Sequence, residues 1–156
     1  MNGRNVVMSN SIAKGRYKFT KEEQGFVYSV ISQISTEDKE FKTYRVYFND
    51  LIEIQTVTKN YQRFTKFAEK LLSKTIKIRD EKEKSTIVCN WFSSIKHTDG
   101  DSYIEVKFDP ELKTYFIQLS TQFVQAKLPI LLSFKSKYSS RLYLYLKSIY
   151  DLDTSI

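Results

Sequence analysis

Between Lys59 and Lys74 the chain reads KNYQRFTKFAEKLLSK, and two opposed stripes run along one helical period. Tyr61, Phe64, Ala68, Leu71 and Leu72 recur at the spacing of a face turned toward a core, whereas Lys59, Arg63, Lys66, Lys70 and Lys74 recur on the opposite side. Glu69 is the only acid in the segment, so i,i+4 partners leave the cationic stripe nearly unneutralised. Such a helix packs along one side and offers the other to a phosphate backbone or a major groove. A charged outer face is also what solubility asks of any amphipathic helix, so the stripe alone does not separate DNA contact from a solvated surface.

Charge elsewhere in the chain bears on that choice. The net charge is +7, and it is unevenly spread. Arg4 to Lys21 holds five basic residues and no acid, and Leu112 to Tyr150 holds Lys113, Lys127, Lys135, Lys137, Arg141 and Lys147, again with no acid. The acids gather at 22–23, 37–40, 80–83 and 99–111. Basic faces set apart from mixed ones favour a polyanionic partner, and double-stranded DNA comes before a membrane because no separate amphipathic membrane helix is evident.

The chain is long enough for one domain with a substantial core: 156 residues, 41% of them apolar, with eleven phenylalanines and eleven tyrosines. Four glycines, two prolines and the lack of any low-complexity stretch or repeat argue for regular structure through most of it. The single cysteine, Cys89, excludes an internal disulfide framework or a Cys-rich zinc site and fits a reducing cytoplasm. No window approaches the roughly 18 to 20 apolar residues of a membrane span. The expectation is a soluble, cytoplasmic protein.

Thr20 with Glu23 three residues later is a capping-box pattern, followed by Phe26, Val27, Val30, Ile31 and Ile34 at helical spacing. This predicts a first helix over 21–35, although Gly25 to Ile34 is uncharged and rich in residues that favour strands. The alternation in 41–48 predicts a strand, and Asn49 a cap for a short helix over 51–54. The basic helix follows after a brief break. Strands are predicted over 75–79 and 86–95 around a charged turn, then over 103–108 after Thr98-Asp99-Gly100-Asp101. Two helices with a short connection, then a strand meander, make a helix-turn-helix with a wing: an α+β winged helix. Beyond it, Asp109-Pro110 opens a helix expected to reach Leu119, 123–128 reads as a short extended piece, and Pro129 opens a turn. A last amphipathic helix is expected from Ser139, with Leu142, Tyr145, Leu146 and Ile149 on its packed face.

NVVMSNSIAKGRYKFTKEEQGFVYSVISQI, FKTYRVYFNDLIEI, LLSKTIKI, YIEVKFDPELKTYFIQLSTQF and above all LLSFKSKYSSRLYLYLKSI, in that order, resemble the amino-terminal domain of the Rep family of iteron-plasmid replication initiators. The most specific portion is Ser136-x-Tyr138-Ser139-x-Arg141-Leu142-Tyr143. The resemblance implies a protein that starts plasmid replication, binding origin repeats (iterons) as a monomer and an operator as a dimer, together with host replication proteins. It further implies that residues 1–156 form a single winged-helix initiator domain, with the family's second winged-helix domain, the main reader of bases, absent. DNA binding by this part should then be weak and mostly electrostatic.

For DNA contact the candidates are Lys59, Arg63, Lys66, Lys70 and Lys74 on the stripe, with Asn60 and Gln62 beside them and Lys77 and Arg79 on the following strand. Asn60 is equally suited to be the helix N-cap. Arg141 belongs to the family signature, but an arginine opening a terminal helix reads first as structural, bonding carboxylates or carbonyls. His97 is expected on a turn, and Trp91 and Cys89 in the core. Homodimers are expected to pair through meander edges bearing Ile87, Val88 and Phe92.

No catalysis, cofactor or metal is expected. A rolling-circle initiator needs a His-x-His metal site beside its tyrosine, and this chain has one histidine. Its glycines are isolated, which excludes a phosphate-binding G-x-x-x-x-G-K-[ST] loop. Asp99, Asp101 and Glu105 lie on a predicted hairpin, where carboxylates serve the turn and solubility. The other function class consistent with the residues is a dimerisation module, or a small transcriptional regulator, with little DNA affinity of its own.

Overall fold

The computed structural model describes residues 4–35, 37–51 and 53–150. The chain opens with a strand that sequence periodicity did not single out, β1 (Asn5–Ser9), whose Val6 and Met8 are buried. It pairs antiparallel with β7 (Phe123–Lys127), the extended piece expected near 123–128. Ser9 accepts from the Ile12 amide and caps a short helix, α1 (Asn10–Lys14). Helix α2 (Lys21–Ile31) carries the expected capping box, each of Thr20 and Glu23 accepting from the other's amide. It ends four residues before Ser35, because its last turn tightens into bonds from Gln33 to Val30 and from Ile34 to Ile31. Burial of Phe26, Val27, Val30 and Ile31 outweighs the local strand preference.

Next come β2 (Tyr44–Tyr47), α3 (Glu53–Val57) and α4 (Tyr61–Leu72). The short helix thus sits later than the predicted 51–54, and residue 52 lies outside the described residues. Helices α3 and α4, joined through 58–60, are followed by the hairpin of β3 (Thr75–Asp80) and β4 (Ser85–Asn90), which is the wing. The single strand expected over 86–95 is two. At Trp91 the backbone leaves the wing: its amide donates to Lys74 and its carbonyl accepts from Asp109, and β5 (Phe92–Lys96) pairs with β6 (Tyr103–Phe108) instead. The meander is therefore divided between the two-stranded wing and a three-stranded sheet of order β2-β6-β5. The Trp91 side chain anchors the switch in the core, 4.9 Å from the ring of Tyr17 and 5.3 Å from that of Phe19. Cys89, half-buried on β4, packs against the same core, and burial pushes its thiol up to about 11.

After Asp109, which accepts from the Glu111 amide, a 3-10 turn (Pro110–Leu112) runs into α5 (Lys113–Phe116). This is shorter than the predicted 110–119: Ile117 is extended, and Gln118 adopts a left-handed φ of 55°. The break returns the chain toward β1. Helix α6 (Leu128–Ser133) replaces the expected turn after Pro129, and α7 (Lys137–Tyr150) closes the described chain. On α7 the packed face is not the predicted one. Ser140, Leu144 and Lys147 are buried, whereas Leu142 is 56% exposed and Tyr145 and Ile149 are exposed as well. Contacts with α1 and β7 select a face carrying a serine and a lysine over the more apolar one.

Candidate nucleic-acid interface

Helix α4 begins where Asn60, in extended conformation, accepts from the Arg63 amide at 2.8 Å, so that its side chain serves as the N-cap. From there Ala68 and Leu71 are buried and Phe64, Phe67 and Leu72 pack against the core, with Phe67 edge-on to Phe26 at 5.5 Å. This face rests on β5. The opposite face carries Lys59, Gln62, Arg63, Lys66 and Lys70, all exposed, and no ion pair among the described residues engages any of its four cations. The stripe is thus an open cationic row on the second helix of a helix-turn-helix.

Three expectations are corrected here. Tyr61, read as a core position, is 82% exposed. The first turn of α4 overhangs the core and leaves its ring beside a cleft of about 430 Å³ shared with Lys59, Phe64 and His97. Lys74 does not join the row, because the chain has already left the helix there and its ammonium lies 3.5 Å from the buried Glu23 carboxylate. Phe92 is in the core and cannot template an edge pairing, while Val88 on β4 is exposed. His97 stands just after β5, its Nε2 2.9 Å from the Asp101 carbonyl oxygen and its ring near Phe48 and Phe64.

The wing carries cations of its own, unevenly available. Lys77 is exposed on β3, and an isolated bridge sets Arg16 directly opposite it, so two cations share one side. Arg16 belongs to the acid-free stretch 4–21, but only the bridge reveals its place. Arg79 is partly neutralised, its Nε 3.2 Å from Glu81 and its guanidinium also donating to Thr86.

Arg141 is structural. Its guanidinium donates to the carbonyls of Tyr17 and Gly15 at 3.1 and 2.9 Å. Gly15 itself is tightly enclosed on its other side: a Cβ there would stand 3.0 Å from Ile76 and 3.2 Å from the Ser11 carbonyl. The adjacent Ser140, a position the family signature leaves unspecified, accepts from Gln24 at 2.6 Å and Tyr28 at 3.1 Å. Arg141 of the signature therefore ties α7 to the segment before α2, and its neighbour Ser140 ties α7 to α2 itself.

Against proteins of known kind, the sequence model of the family described as Initiator Replication protein, WH1, matches residues 5–147. The chain belongs to this family. A curated "Replication initiation protein" of Escherichia coli is 24% identical over 147 residues, covering 90% of this chain and 46% of that relative, so the chain spans about half its relative's length. Among solved structures, the crystal structure of Pi initiator protein in complex with iteron DNA superimposes with a TM-score of 0.70 at 16% identity, over 96% of this chain and 66% of that one. The likeness shows this chain to have the same winged-helix fold. Among the described residues no cluster of three or more His, Cys, Asp or Glu side chains is arranged to hold a metal, and no helix is long and apolar enough to cross a membrane.

Proposed function

We propose that this chain binds double-stranded DNA of a plasmid origin through the outer face of α4 and the adjoining strand β3, and so takes part in replication initiation. The observation that carries the reading is the open row Lys59, Arg63, Lys66 and Lys70 on the second helix of a helix-turn-helix; Lys77 and Arg16 lie side by side on β3 and the segment bridged to it. Gln62 lies within reach of base edges on the same face. The structural neighbour in complex with iteron DNA supports a duplex as ligand. The reading is one of binding with no catalytic step, at home in the cytoplasm. Self-association belongs to it: among the described residues β4 pairs with β3 alone, and Val88 on it is exposed to solvent. Host replication proteins are further proposed partners.

The test is fluorescence anisotropy with a labelled origin-repeat duplex across a salt series. About five neutralised phosphates give a log–log slope of about −4 to −5. Arg63→Glu combined with Lys66→Glu should abolish binding while leaving the melting temperature unchanged. Binding unaffected by that pair would remove α4 from the interface.

A further inference from the structure

The sheet β2-β6-β5 has one face on the core and one in solvent. Tyr44, Val46, Ile104, Val106 and Phe108 point inward and are buried. On the outer face Tyr47 stands directly opposite Tyr103, ring centroids 5.2 Å apart, with Tyr47 40% exposed. The Arg45 guanidinium lies 4.2 Å from the Tyr103 ring centroid, and in the next row across the strands come Arg45, Glu105 and Lys96, with Lys107 beyond. The one acid of these rows, Glu105, is 3.8 Å from Arg45, leaving the face cationic. An open sheet face needs only polar side chains for solubility; two adjacent aromatic rings interleaved with cations exceed that need.

We propose that this face binds single-stranded nucleic acid, with Tyr47, Tyr103 and the Arg45 guanidinium as stacking planes and Lys96 and Lys107 as phosphate partners. Every base offers a π-face to tyrosine or guanidinium, whatever its identity, and ammonium groups follow the backbone. Tyr103, Glu105 and Lys107 succeed one another along β6 at about 7 Å, roughly twice the 3.4 Å step of a duplex strand, so the matching ligand is unstacked. Acids of the 99–101 turn border the tyrosine end and direct the strand toward Lys107. Strands β2 and β6, with Lys96 at the end of β5, carry this face, whereas α4 packs on the opposite, buried side of β5 through Phe67 and Phe26, so a duplex on α4 and a freed strand on the sheet occupy separate surfaces. The proposal does not depend on the duplex reading.

The experiment measures anisotropy of labelled oligothymidylate and of an abasic oligomer of equal length, using the full chain. Tyr47→Ala with Tyr103→Ala should weaken oligothymidylate binding by about ten- to a hundredfold. Duplex binding should persist, and Tyr47→Phe with Tyr103→Phe should bind like the parent. Circular dichroism verifies folding of each variant. The proposal is overturned if the folded alanine variant binds oligothymidylate like the parent, if the abasic oligomer binds equally well, or if only Arg63→Glu with Lys66→Glu abolishes binding.

Discussion

Arg141 holds its guanidinium 3.6 Å from the ring centroid of Tyr17 while donating to the carbonyl of that same residue at 3.1 Å. One side chain thus stacks on a ring and satisfies a backbone acceptor, which a lysine ammonium cannot reproduce in one pose. Arg141→Lys is expected to lower unfolding free energy by about 1.5–3 kcal/mol, the worth of charge-assisted bonds. Urea denaturation measures this; duplex affinity of the folded variant should be unchanged.

Beneath Arg141, burial pushes the Tyr17 hydroxyl up to about 12, with the guanidinium drawing it back down. A group whose folded pKa exceeds its unfolded value of 10 contributes stability that is complete below pH 10 and lost as pH rises through 12. Two units correspond to about 2.7 kcal/mol between those limits. Burial also raises Tyr28, so both tyrosines act in the same direction. Thermal melts from pH 9 to pH 12 should show Tyr17→Phe losing less stability than the parent.

Lys66 and Lys74 belong to one sequence stripe and to two different environments. Lys66→Ala should reduce the salt slope of duplex binding by about 0.9, without a stability change. Lys74→Ala should leave that slope intact and cost about 1–3 kcal/mol, since the buried Glu23 carboxylate loses its ammonium. Paired anisotropy and denaturation series distinguish the two.

On α7, Leu144 is fully buried and Leu142 is mostly exposed. Leu144→Ala is expected to cost about 2–5 kcal/mol and Leu142→Ala to stay within about 0.5 kcal/mol. The reverse order in chemical denaturation would mean that the helix packs on its apolar face after all.

The elements legible in the sequence are those whose signals lie within one or two turns. The Thr20–Glu23 box, the Asn60 cap, the Asp109-Pro110 start and the two stripes of α4 each rest on residues no more than about four apart, where sterics and hydrogen bonds act without help from the rest of the chain. The α4 row and Lys77 could be found this way. What tertiary structure decided involves distant partners. The pairing of β1 with β7, the change of sheet at Trp91, the bridge that sets Arg16 beside Lys77 and the capture of Lys74 by Glu23 depend on segments that local periodicity does not connect. For α7 the apolar pattern named one face and the fold buried another. Ser140 satisfies Gln24 and Tyr28, and Arg141 satisfies two carbonyls, so closing that polar network outweighed the area gained by turning Leu142 and Ile149 inward.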